Sequence, residues 1–190
     1  MAQLDSVLAA QQIFKSVTNA FSRPCRLYNI KAESGEDVIK ELANVFLDSG
    51  TSFNANGNAA LAADIRETMY ASEVEIEAAE FILITDLDSF DAFDKIKTGT
   101  LIDPHHGATA IISVPEILGD TTISAEGPGI DGKISCSLSK SVADCLIKSA
   151  ALDIEYPQGY EILFVTPDGE IMAVPRRVKI YKDCNESEET

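Results

Sequence analysis

The sequence predicts an α/β protein: one domain, with a mixed sheet covered by helices. Stretches with helical apolar spacing alternate with short apolar runs along most of the 190-residue chain, the order expected of a layered α/β fold. Residues 81–85 (Phe-Ile-Leu-Ile-Thr) form an apolar run bounded by charges, the signature of a strand covered on both faces. Near the end, two apolar runs flank Pro167-Asp168-Gly169, a turn sequence that predicts a hairpin.

The elements follow in order. Residues 5–21 repeat Val7, Ala10, Phe14, Val17 and Phe21 at helical spacing, and Pro24 ends the helix by pushing its predecessor out of the α region. Residues 26–30 alternate as a short strand. Residues 36–48 return to a helix, with Val38, Leu42, Val45 and Phe46 on one face and Glu36, Asp37 and Glu41 near its N-terminal end. Residues 47–53 contain a helix end, a turn and a strand start. Residues 54–58 make a turn, and Leu61, Ile65 and Met69 mark another helix.

After the strand at 81–85, a short helix is expected around 89–95. An apolar strand over 108–114 lies between two glycine-bearing segments, Thr98-Gly99-Thr100 with Pro104-His105-His106-Gly107, and Gly127-Pro128-Gly129-Ile130. Leu118-Gly119-Asp120 is expected to turn into a strand over 121–125. Leu138, Val142, Cys145, Leu146 and Ser149 predict a helix with Ser137 as its N-cap. Strands at 160–165, 171–174 and 178–181 close the chain. No repeat or linker divides it, so one domain spans 1–182 and an acidic disordered tail spans 183–190.

Composition limits function. A net charge of −16 repels phosphate backbones and disfavours nucleic-acid binding. No apolar run approaches membrane-spanning length, and no charged n-region with an apolar h-region opens the chain. A cytoplasmic protein with reduced thiols is therefore expected. Cys25, Cys136, Cys145 and Cys184 show no C-x-x-C spacing and none lies near a histidine, so no metal site is expected.

The residues that remain of interest are few. His105 and His106 have the right chemistry for proton transfer, but neighbours in an extended loop point to opposite sides, so no shared metal or proton path is expected. Gly127-Pro128-Gly129 lacks the lysine and hydroxyl of a phosphate-binding P-loop; it suits a tight bend with close backbone approach. Arg176, held by Pro175, is the cation best placed to meet an anion or a charged partner. Thr98, Gly99, Thr100, Gly127, Pro128, Gly129 and Arg176 are therefore the candidate ligand- or interface-binding residues, and no catalytic set is defined.

The ordered set also includes Ser22-Arg23-Pro24, residues 47–53 (Leu-Asp-Ser-Gly-Thr-Ser-Phe), Gly107-Ala108-Thr109, Glu126, Tyr156-Pro157-Gln158-Gly159 and Ala173-Val174-Pro175-Arg176. Taken together from about residue 10 to 182, it resembles the PhnH subunits of the bacterial carbon–phosphorus lyase system. That resemblance implies a fold akin to the large domain of pyridoxal-phosphate-dependent transferases, without the cofactor. It implies a homodimer joining PhnG-, PhnI- and PhnJ-type subunits in a core complex for phosphonate catabolism. The chain would support displacement of adenine from ATP by an alkylphosphonate, giving a ribose 1-phosphonate 5-triphosphate, as a required accessory subunit to which the resemblance assigns no separate chemistry. The alternative is a small transferase- or lyase-like enzyme that binds a phosphorylated ligand at the glycine-bearing loops. Three departures stand out: Glu161 where the pattern has aspartate, Cys25 where it has glycine, and His105-His106, which lie outside it.

Overall fold

The computed structural model describes residues 2–30 and 38–182; the expected tail at 183–190 and the start of the second helix lie outside the described residues. Helix α1 (Ala2–Ser22) leads to β1 (Tyr28–Asn29), followed by α2 (Val38–Phe46), β2 (Ser52–Asn54), α3 (Ala59–Thr68) and β3 (Ser72–Glu73). Then come β4 (Phe81–Ile84), β5 (Thr109–Ser113), β6 (Leu118–Glu126), β7 (Lys133–Leu138), α4 (Lys140–Ala150), β8 (Glu161–Val165), β9 (Glu170–Val174) and β10 (Lys179–Lys182).

The strands form two sheets instead of one. The larger is mixed and seven-stranded, in the order β1-β9-β8-β5-β4-β2-β3; the smaller is an antiparallel β10-β6-β7. Within the larger sheet β9 alone runs opposite to the rest, being antiparallel to both β8 and β1. The Pro167-Asp168-Gly169 hairpin makes that reversal: Gly169 has φ +79°, and its N–H donates to Thr166 O at 3.0 Å.

Alternation along the central strands divides the core in two. Ile82, Ile84, Ala110, Ile112, Ile162 and Phe164 face the small sheet and α4, where Ile123, Leu138, Val142 and Leu146 cover them. Leu83, Ile111, Leu163 and Ile171 face the other way, against Val17, Leu42 and Ile65 of α1, α2 and α3. Ile82, Leu83 and Ile84 are all fully buried, which explains why β4 reads as an unbroken apolar run. No helix among the described residues is long and apolar enough to cross a membrane.

Several elements differ from expectation for identifiable reasons. The buried stripe of α1 is Ile13, Val17 and Ala20, so Val7 and Phe14 are exposed, at 61% and 55%. Val17 belongs to both stripes, and the sheet selects the one with the smaller side chains. The helix expected at 89–95 is a single 3₁₀ turn, Phe93–Lys95. Leu118-Gly119-Asp120 is no turn; it belongs to β6, whose Leu118 and Thr121 both face Leu138 across a bulge. Strand β7 went unpredicted although Ile134, Cys136 and Leu138 alternate with the exposed Lys133, Ser135 and Ser137. Leu138 thus ends β7 and is not part of the helix that follows. That helix is instead capped by Ser139, whose Oγ accepts from Val142 N and donates to Glu116 O at 2.9 Å.

Candidate functional site

Three strand ends of the larger sheet set the site. β5 and β8 are parallel, so the loops entering them, 98–107 and 156–160, lie side by side. β9 is reversed, so its exit, Pro175-Arg176-Arg177, arrives at the same edge. A fourth loop comes from the small sheet, where Glu126 at the end of β6 pairs with Lys179 at the start of β10. This edge is the amino end of the parallel strands. Ligands of open α/β sheets ordinarily bind at the opposite, carboxyl end.

Backbone contacts fasten the loops together. Thr98 O accepts from Gly159 N and Gly99 O from Gln158 Nε2, each at 2.9 Å. Thr98 also forms an antiparallel bridge with Gly107. Thr100 caps its own turn: its Oγ1 accepts from Asp103 N at 2.9 Å. Gly127 and Gly129 have φ of +148° and +84°, and a Cβ on either would strike backbone, at 2.8 Å from Arg177 O and 2.6 Å from Ser22 O respectively. The close approach expected of this loop is therefore made to the chain itself, between the Arg177–Val178 segment and the end of α1.

Arg176 joins three of the loops. Its Nε donates to Glu161 Oε1 at 2.6 Å and its backbone N to Glu161 Oε2 at 2.8 Å. Its Nη1 donates to Pro104 O, while Nη2 has no partner among the described residues. Both side chains of the pair are about one-fifth exposed (19% and 20%). Arg177 lies outside the pair and stacks over the Tyr156 ring, 4.8 Å from its centroid.

Two depressions flank Arg176. One, of about 370 Å³, is walled by Pro104, Pro128, Pro157 and Pro175. Four prolines make its walls stiff, and His105, Arg177 and the Glu161–Arg176 pair supply its polar groups. The other, of about 360 Å³, runs under α4 and β10 past Tyr160, whose hydroxyl lies 2.8 Å from Ser149 Oγ. Burial pushes the Tyr160 phenol up to about 12, partly offset by that hydrogen bond.

The candidate residues thus gather at one edge: Pro128 and Arg176 line the proline-walled cleft, and Thr98 and Gly99 hold Gly159 and Gln158, which line the second depression. Gly129 faces α1 instead. The extended loop expected around the histidines is not present. His105 and His106 sit on a 3₁₀ turn, Pro104–His106, not on extended chain, and their rings pack with centroids 4.2 Å apart. Glu161 and Gln158 went unselected as site residues. Glu161 had one usable signal, a carboxylate opening an otherwise buried strand.

Comparison with known proteins agrees with this arrangement's resemblance. A putative C-P lyase subunit protein, HtxG, from Stutzerimonas stutzeri is 24% identical over 170 residues, spanning 90% of this chain and 85% of that protein. The family described as bacterial phosphonate metabolism protein (PhnH) matches residues 2–181. Since that match runs through every element from α1 to β10, the chain belongs to the PhnH family of phosphonate metabolism proteins.

Proposed function

We propose that this chain is a non-catalytic accessory subunit of a carbon–phosphorus lyase assembly in phosphonate catabolism. It acts as a cytoplasmic homodimer that docks on PhnG-, PhnI- and PhnJ-type subunits and needs no cofactor of its own. Its contribution is to the first step, in which an alkylphosphonate displaces adenine from ATP to give ribose 1-phosphonate 5-triphosphate. Its larger sheet, seven strands with one reversed, is compatible with kinship to the large domain of pyridoxal-phosphate-dependent transferases. Pro128 and Arg176 are then docking residues at the cleft, and Thr98, Gly99, Thr100, Gly127 and Gly129 position the loops around them.

One observation carries the non-catalytic reading. The cation best suited to grip a phosphonate oxygen, Arg176, is already engaged by Glu161 and by Pro104 O within the chain. Anion handling then falls to partner subunits, in keeping with a net charge of −16. Co-purification with a PhnI-type subunit tests this. ATP-dependent adenine release should require the present chain; equal release without it would refute the proposal.

A second reading, a small transferase- or lyase-like enzyme, draws on the meeting of His105, Arg176 and Arg177 around one cleft. It requires the isolated chain to turn over a nucleotide or phosphonate, with that turnover lost on substitution of one of these residues.

A further inference from the structure

We propose that Asp103, His105 and His106 bind a divalent transition-metal ion at the lip of the cleft. Nothing in the accessory-subunit reading requires this site, and its test does not depend on that reading. Asp103 precedes a 3₁₀ turn and His106 ends it, and in 3₁₀ geometry residues i and i+3 lie above one another. The turn therefore brings a carboxylate and an imidazole together from positions that an extended loop would separate. His105 joins them through its ring contact with His106. One potential ligand atom from each of the three side chains lies within 4.8 Å of the others.

The backbone beneath is fixed before any ion arrives. Thr100 N donates to Asp103 O at 3.2 Å, His106 N to Asp103 O at 3.3 Å, and Gly107 N to Pro104 O at 3.2 Å. Arg176 Nη1 also donates to Pro104 O, and Gly107 is bridged to Thr98. Binding would then order only three exposed side chains. Zinc–nitrogen bonds of about 2.0–2.1 Å put tetrahedral ligand atoms roughly 3.4 Å apart, so modest rotamer adjustments close the set.

The donor set selects the ion. Two imidazoles and one carboxylate suit zinc, cobalt or nickel, whereas magnesium and calcium call for oxygen ligands throughout. Two neutral ligands and one anion leave a bound divalent ion with net positive charge, which the acidic protein as a whole attracts. Three protein ligands leave coordination positions for water or a ligand oxygen. His105 also lines the cleft beside Arg176, so the ion would add a second positive centre at that rim.

Cobalt(II) chloride titrated into the purified full chain tests the site by visible absorption and calorimetry. One ion per chain is expected, with the d–d spectrum of nitrogen and oxygen ligation and no displacement by excess magnesium. His105→Ala, His106→Ala and Asp103→Asn should each weaken uptake at least about tenfold, corresponding to ~1.4 kcal/mol. All three side chains are exposed, so the metal-free variants should melt with the wild type and lose only the metal-induced rise in Tm. Equal affinity in the His105→Ala/His106→Ala double variant would overturn the proposal. So would an intense thiolate-to-cobalt charge-transfer band, or no uptake by the wild type.

Discussion

Glu161 and Arg176 hold each other by two hydrogen bonds, one to the arginine side chain and one to its backbone N–H. The carboxylate opens β8 and the arginine follows β9, so the pair closes the end of the antiparallel β8–β9 contact in the larger sheet. Because Nη1 reaches on to Pro104 O, the same pair also fixes the loop that carries the histidines. Breaking a buried pair from one side leaves a charge without its partner. Here solvent reaches about one-fifth of each side chain, which softens the penalty. Glu161→Gln should cost about 2 kcal/mol in urea unfolding. Glu161→Asp, the residue the sequence pattern anticipates, keeps the charge but shortens the reach; loss of one of the two hydrogen bonds should cost about 1 kcal/mol.

Gly107 is a sterically demanding position. A Cβ there would lie 2.1 Å from Gly159 O and 3.3 Å from Arg176 Nη1. Gly107→Ala must therefore separate the loops entering β5 and β8, breaking the Thr98–Gly107 bridge or the Thr98 O to Gly159 N bond. Overpacking of this kind costs about 1–3 kcal/mol. Faster amide exchange at Ala108 or Gly159 than in the wild type is the local readout, and unchanged protection at both would contradict the geometry.

The legibility of this fold followed the scale of the physical signal. Strands buried on both faces, β4, β5 and β8, announce themselves through composition, and the β8–β9 hairpin through its turn residues. The small sheet did not, because a pairing between β6 and β10 joins residues such as Glu126 and Lys179 that no local pattern connects. Cys25 shows how a sequence departure acquires a cause. It adopts φ +59°, a left-handed conformation that explains why the pattern has glycine there. At the site, glycines and Arg176 were legible by type, but their convergence was not. That depends on β9 running backwards, which delivers Arg176 to the edge where the β5 and β8 loops begin. The backbone of the histidine pair was not legible for a local reason: a 3₁₀ turn replaces the extended loop expected there.

Tyr70 offers a gain in stability. Met69 caps α3, with its N–H donating to Ile65 O, and Tyr70 follows in the left-handed region at φ +60°. Glycine is the residue helices ordinarily place there. The Tyr70 side chain is 73% exposed, so its removal gives up little packing. The left-handed penalty of about 1–2 kcal/mol exceeds the roughly 0.5–1 kcal/mol that glycine loses to unfolded-chain entropy. Tyr70→Gly should therefore raise stability by up to about 1 kcal/mol, a shift of roughly 2–4 °C in Tm. A lower Tm would mean that the tyrosine makes a contact in solution that offsets its backbone strain.

Two buried acids should make the protein sensitive to alkali. Burial pushes Cys145 from 9.0 up to about 12, with the nearby Lys148 opposing, and Tyr160 from 10.0 up to about 12. Both groups are raised in the folded state, so between their unfolded and folded values the unfolded chain binds fewer protons. Stability is then complete below about pH 9 and falls as pH rises towards 12, by ~1.4 kcal/mol per pH unit for each group in its own window. Tyr160→Phe keeps the ring buried and removes its proton, at the cost of the hydrogen bond to Ser149. The variant should start slightly less stable at neutral pH yet lose stability less steeply between about pH 10 and 12. The slope is the diagnostic quantity, because a packing defect lowers the whole curve without flattening it. Parallel curves for wild type and Tyr160→Phe would show that the phenol is not shielded under α4 as the structure places it.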